Sequence, residues 1–209
     1  MTQSEYTVSG FAGLLASDAP APGGGTAAVL EGALGAALTE MVCKLTAGRA
    51  KYAEHQELIL DAQNRAEALR GKLLEAMERD TAAFLLVSSA FAMPKGTDAE
   101  KAARSAAIQR GLEECTASPL AGMELAGQAL ELAASIWGKC NDSAASDLGV
   151  AALSLRSALL GTWLNVLINV KSLKDRNFAE RALAEGRGIL DKALPLADRL
   201  YGDIEASLL

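Results

Sequence analysis

The stretch LGVAALSLRSALLGTWLNVLINV, from Leu148 to Val170, runs 23 residues with a single charge, Arg156. Its length suits a bilayer span. Arg156 stands near its centre, where a charge costs roughly 2.5–3.5 kcal/mol on insertion scales. Ser154, Ser157, Thr162, Asn165 and Asn169 surround it. The stretch therefore reads as the central buried helix of a soluble bundle, and no membrane partner is expected.

Composition carries that reading outward. The chain holds 42 Ala and 33 Leu against 7 Val, 6 Ile and 9 aromatic residues. Ala and Leu favour helix, while the β-branched and aromatic residues that fit a strand are scarce. A β-sandwich or barrel is excluded, and 50% hydrophobic content with 22% charge excludes a disordered chain. A length of 209 residues fits one sizeable core and is short for two, so 1–209 reads as one helical domain.

The few breakers set the element boundaries. A short helix is expected over Val8 to Ser17, and a second from an N-cap at Thr26 to about Ala47. The next runs from Tyr52 to Ala92 and ends at Met93-Pro94. Another starts at Thr97 or Asp98 and reaches Thr116, where Ser118-Pro119 either opens a new helix or kinks a continuing one as far as Gly138. Ser143 opens the long apolar helix, and a last helix spans Arg176 to Glu205 with a kink at Pro195. The fold class is all-α, a bundle of six or seven mostly long helices.

Charge and rare residues narrow the chemistry. A net charge of −6 disfavours a nucleic-acid partner. The N-terminus lacks a basic segment followed by an apolar run, so no signal peptide is read there. Cys43, Cys115 and Cys140 form no C-x-x-C and read as reduced, buried thiols, which points to a cytoplasmic protein. His55 is the lone histidine, so His-rich zinc sites and di-iron bundles are excluded, and no metal is expected.

Four constellations remain. Gly23-Gly24-Gly25-Thr26 opens a helix, where backbone can approach a ligand and unpaired N–H groups face outward. The preceding Pro20-Ala21-Pro22 is no strand, so the dinucleotide fingerprint is rejected. Asp80 falls on the inward stripe Ala62, Ala66, Leu69, Leu73, Met77, Phe84, Val87 and Phe91; it is a base with a raised pKa, one half of a structural ion pair, or a stripe edge that reaches water. Asp147, Ala151, Ser154, Ala158, Gly161, Asn165 and Asn169 share one face, suited to lining a ligand or to close packing. Asp147 and Asn165 are 18 residues apart, about 27 Å along a straight helix, so one subunit cannot bring both to one reacting atom. Arg49, Lys51, Lys95, Lys101, Arg104 and Lys171 sit near helix ends, either solvated or placed to meet carboxylates of an acidic ligand.

In order along the chain, Pro22-Gly23-Gly24-Gly25-Thr26, Gly32-Ala33-Leu34-Gly35, Leu45-Thr46-Ala47-Gly48-Arg49, Asp80 with Phe84, Met93-Pro94-Lys95, Pro119-Leu120, Ser146-Asp147-Leu148-Gly149 and Asn165-Val166-Leu167-Ile168-Asn169-Val170-Lys171 resemble the cyclodeaminase/cyclohydrolase family. Thr26 stands where Ser is usual, Met93 where Leu is usual and Arg49 where Lys is common. The resemblance implies an all-α homodimer with a folate pocket between helices. It implies a tetrahydrofolate derivative as substrate, with no cofactor, and Asp80 as the catalytic proton acceptor. The formiminotransferase half of the bifunctional relatives is not matched. That favours hydrolysis of 5,10-methenyltetrahydrofolate to 10-formyltetrahydrofolate over the alternative, cyclodeamination of 5-formiminotetrahydrofolate with release of ammonia. On this reading the backbone of Gly23 to Thr26 cradles the ligand. Asp147, Asn165 and Asn169 hydrogen-bond the pterin, from two subunits. Arg49, Lys95 and Lys171 meet the glutamate tail, polyglutamylated or not. A non-enzymatic folate-binding or scaffold protein is the contrasting expectation.

Overall fold

The computed structural model describes residues 2–209, and six α-helices form the bundle there. They are α1 (Val8–Leu15), α2 (Gly24–Thr46), α3 (Gln56–Phe91), α4 (Asp98–Ile136), α5 (Ala145–Val170) and α6 (Arg176–Leu208). No strand occurs among the described residues. Helix α2 packs between α3 and α5, α6 flanks α5, and α4 lies across the back of all four.

Small residues set the closest approach. A Cβ on Gly35 would fall 2.5 Å from Leu155, and one on Gly161 would fall 2.7 Å from Ala28. These contacts pair the start of α2 with the end of α5, so the two helices run antiparallel. Ala28, Gly32 and Gly35 of α2 and the middle of the α5 polar line thus form one close-packed seam. Leu148, Leu155, Leu159 and Val166 of α5 fill the core beside it. Arg156, the charge that argued against a bilayer span, pairs with Asp198 of α6 at 2.7 Å.

Several boundaries differ from expectation. Gly23 is the N-cap of α2, which places Thr26 inside the first turn and not at the cap. At Pro119, by contrast, α4 follows the continuing-helix alternative, and α6 runs as one helix through Pro195 as expected. A 3-10 turn, Ala50–His55, precedes α3. Phe84 and Phe91, placed on the core stripe by spacing, are exposed at the end of α3.

Two segments, Gly24–Thr46 and Asp142–Val170, are long and apolar enough to cross a membrane by length and composition alone. Both present one face to the core. Their other faces leave Leu34, Leu45, Val150, Leu153, Leu164 and Ile168 exposed. All three cysteines are free and buried, and burial pushes the Cys43 thiol up to about 12.

Candidate active site

Where the start of α2, the middle of α3 and the end of α5 converge, they enclose a cavity of about 310 Å³. Gly23, Gly24, Gly25 and Thr26 form one wall; Asp80, Thr81 and Phe84 form a second; Asn165, Ile168 and Asn169 form a third, and Cys115 of α4 closes the floor. A larger groove of about 580 Å³ between α3 and α4 is also lined by polar residues, but Ser89, Arg110 and Glu114 there are exposed and Glu113 is half-buried. Convergence of Thr26, Asp80, Asn165 and Asn169 makes the smaller cavity the candidate site.

Asp80 stands against the N-terminus of α2. A Cβ on Gly25 would lie 2.8 Å from both of its carboxylate oxygens, so only glycine admits the carboxylate there. The Thr26 hydroxyl, itself buried, donates to Asp80 Oδ2 at 2.8 Å. Gly23 supplies no side-chain cap to α2, and the Asp80 carboxylate occupies the place near the unpaired N–H groups that a capping side chain would take. The glycine run therefore makes room for the chain's own acid. Burial pushes the Asp80 pKa up, against the opposing hydrogen bonds of the Thr26 hydroxyl and backbone N–H. No lysine or arginine pairs with Asp80 among the described residues. A carboxylate held this way keeps its proton to higher pH than usual, the direction that suits a group that both accepts and donates a proton.

A chain of hydroxyls backs this arrangement. Gln3 Nε2 donates to Thr81 Oγ1 at 2.6 Å, and Thr81 Oγ1 lies 3.4 Å from Thr26 Oγ1. On the opposite wall, Asn165 Nδ2 donates to the Gly161 carbonyl at 2.9 Å. Asn169 Nδ2 donates to the Cys115 carbonyl at 2.7 Å and to the Asn165 carbonyl at 2.9 Å. The Cys115 thiol is pushed up to about 11 by burial and then by the Asp80 charge, so it is a protonated wall and no nucleophile.

The structure thus gathers Gly23, Gly24, Gly25, Thr26, Asp80, Asn165 and Asn169 around one cavity. It does not bring Arg49, Lys95, Asp147 or Lys171 there. Arg49 and Asp147 belong to the far end of the α2–α5 pair, where Lys51 pairs with Asp142 and Asn141 accepts from Ser143 and donates to the Leu45 carbonyl. Lys95 lines a separate cleft of about 410 Å³ with Lys101, Arg104 and Lys174. Lys171 is exposed just beyond Asn169. Thr81, Phe84, Cys115 and Ile168 were not singled out as wall residues by the sequence. Cys115 had a signal, since it stands four residues before Pro119 in a continuous helix.

The sequence profile described as formiminotransferase-cyclodeaminase matches residues 7–187. The chain belongs to the formiminotransferase-cyclodeaminase family. Among members of this family, a methenyltetrahydrofolate cyclohydrolase of Methylorubrum extorquens is 42% identical over 202 residues, covering 97% of both chains. The mouse formimidoyltransferase-cyclodeaminase is 32% identical over 202 residues, which span 97% of this chain and 37% of the mouse protein. The family fold is seen in a crystal structure of formiminotetrahydrofolate cyclodeaminase from Thermotoga maritima, with a TM-score of 0.88 over 99% of each chain at 24% identity. Named members act in folate one-carbon chemistry, so the family membership and the enzymatic reading agree with the site.

Proposed function

We propose that the chain is a methenyltetrahydrofolate cyclohydrolase, with Asp80 as general base. One observation carries this reading. The single carboxylate of the cavity is half-buried without a cation, beside a wall of amides that offers hydrogen bonds to a flat heterocycle. The 42% identity to a cyclohydrolase over nearly the full length of both chains favours hydrolysis over deamination.

In the reaction, water adds to the cationic carbon bridging N5 and N10 while Asp80 takes its proton. The neutral tetrahedral adduct then breaks its carbon–N5 bond. N5 gains a proton from Asp80 as the hydroxyl becomes the formyl carbonyl and releases its own proton. Cation and water give neutral 10-formyl product and one proton to solvent. Asp80 acts twice, which needs a pKa near the working pH. Thr26 holds its carboxylate, Gly25 admits it, and Asn165 and Asn169 orient the ring. The first-turn N–H groups of Gly24 and Gly25 and the exposed Lys171 and Lys95 draw the anionic parts of the substrate, including a polyglutamate tail.

The assembly in this reading is a cytoplasmic homodimer across the exposed faces of α2 and α5. Leu34, Leu153, Leu164 and Ile168 supply an apolar patch, and Ile168 is also a cavity wall, so a partner there would cover the site's rim. An antiparallel partner would bring its Asp147 and Arg49 toward the Asp80 cavity.

The test supplies methenyltetrahydrofolate and follows loss of its absorbance, and in parallel supplies formiminotetrahydrofolate and measures ammonia. Turnover of the first substrate supports the proposal. Ammonia release with no hydrolysis would convert the assignment to cyclodeaminase, whose ring closure the same carboxylate can serve. Turnover of neither by folded protein would overturn both.

A further inference from the structure

Pro119 lies inside α4 with no N–H, so the carbonyl four residues back, that of Cys115, has no helical donor. The proline ring also crowds that carbonyl and tilts it off the helix axis. A buried carbonyl without a donor is costly. Here the donor comes from another helix: Asn169 of α5 reaches the Cys115 carbonyl at 2.7 Å. Its second amide hydrogen goes to the Asn165 carbonyl at 2.9 Å. Both partners are carbonyls and can only accept. The opposite amide orientation would set Oδ1 against two oxygens, so the orientation is fixed by chemistry. Asn169 Oδ1 then has no protein partner among the described residues, and Asn169 is on the cavity wall.

We infer that Pro119 is a positioning residue for substrate recognition: by leaving the Cys115 carbonyl unoccupied, it fixes Asn169 with its amide nitrogen inward to protein and its oxygen available to the ligand. The recognised ligand class is a heterocycle that offers a ring N–H or exocyclic amine at that wall. This step rests on the folate reading, since a pterin ring edge carries such donors. A mid-helix proline is ordinarily destabilising. At this position it converts a backbone acceptor into a device that orients a side chain 54 residues away in sequence.

Pro119→Ala restores the N–H, satisfies the Cys115 carbonyl within α4 and releases Asn169. The experiment is a double-mutant cycle on the full chain with Pro119→Ala, Asn169→Asp and both together. It reads thermal stability, steady-state kinetics and binding of the non-reacting folate 5-formyltetrahydrofolate. Pro119→Ala is expected to keep or raise Tm, to raise KM and weaken 5-formyltetrahydrofolate binding by about tenfold, the cost of about one hydrogen bond, and to leave kcat within about twofold. A merely structural role would lower Tm and leave KM alone. Asn169→Asp is expected to lower Tm in the wild-type background, where a carboxylate faces two carbonyls, and to lower it much less in the Pro119→Ala background. Additive Tm changes, or unchanged KM and binding in Pro119→Ala, would overturn the inference. Failure of the wild type to bind the folate would instead strike the folate reading and the recognition step resting on it. The Tm cycle would still decide whether Pro119 and Asn169 are coupled.

Discussion

Two carboxylates reach inward from neighbouring helices, and they are in opposite states. Glu40 of α2 is 5% exposed and meets two cations, Arg70 at 2.8 Å and Lys44 at 2.5 Å. Asp80 of α3 meets no cation, only the hydroxyl and backbone N–H of Thr26. Burial pushes both pKa values up. At Glu40 the hydrogen bonds from Lys44 and Arg70 outweigh burial and hold the group below the usual carboxylate range. At Asp80 burial prevails and the group stays above it. A buried charge that is paired joins α2 to α3 and does nothing further. A half-buried carboxylate that is left without a cation keeps its capacity to exchange a proton, and it is the one that faces a cavity.

The comparison can be broken first at Asp80. Asp80→Asn is expected to lower kcat for methenyltetrahydrofolate hydrolysis by about 10²-fold or more, while Glu40→Gln leaves it within a few-fold; steady-state rates on the two variants check this. Gly25→Ala comes next. Its Cβ would meet the Asp80 carboxylate at 2.8 Å, so Asp80 must move and kcat is expected to fall about tenfold or more with little change in helical content. Circular dichroism beside the kinetics separates this from unfolding.

Thr26→Val keeps the shape and removes the hydroxyl that favours the ionised form of Asp80. The acid limb of the pH–rate profile is expected to move to higher pH, and Thr26→Ser to restore it. An unmoved limb would mean that Thr26 only packs.

The smallest effects are on stability, and the two carboxylates give them opposite signs. Asp80 binds its proton more tightly folded than unfolded. Its contribution is therefore favourable at low pH and is lost as pH rises from the unfolded to the folded pKa. Asp80→Asn is expected to raise Tm by a few degrees at neutral pH, with the gain vanishing below the unfolded carboxylate pKa. Glu40 is the reverse, stabilising above the unfolded pKa and losing that as pH falls through the folded one. Glu40→Gln is expected to cost about 1–2 kcal/mol at neutral pH, less than a fully buried pair because Lys44 is largely in solvent. Denaturant melts of both variants across pH 3–8 check the crossing.

Helical spacing carried much of this. It placed Asp80 inward by its offsets from Leu73, Phe84 and Val87, and it put Asn165 and Asn169 on one face of α5. What spacing lacks is the partner. Three glycines announced a close approach, but that the approaching group is Asp80 follows only from where α3 meets the start of α2. The 18-residue separation along α5 already kept Asp147 from Asn165; that the antiparallel pairing of α2 and α5 also removes Arg49 from the cavity is information that periodicity along one helix does not contain. Phe84 and Phe91 continue the apolar period of α3 beyond the point where neighbours cover it. The Pro119 gap was visible as a breaker, yet the side chain that fills it comes from another helix.

The most direct measurement is a carbon-13 NMR titration of the side-chain carboxyls in one sample, with Asp80 and Glu40 assigned through Asp80→Asn and Glu40→Gln. The account predicts that Asp80 titrates above the ordinary aspartate range and Glu40 below the ordinary glutamate range. An Asp80 that titrates at or below the ordinary value would contradict it.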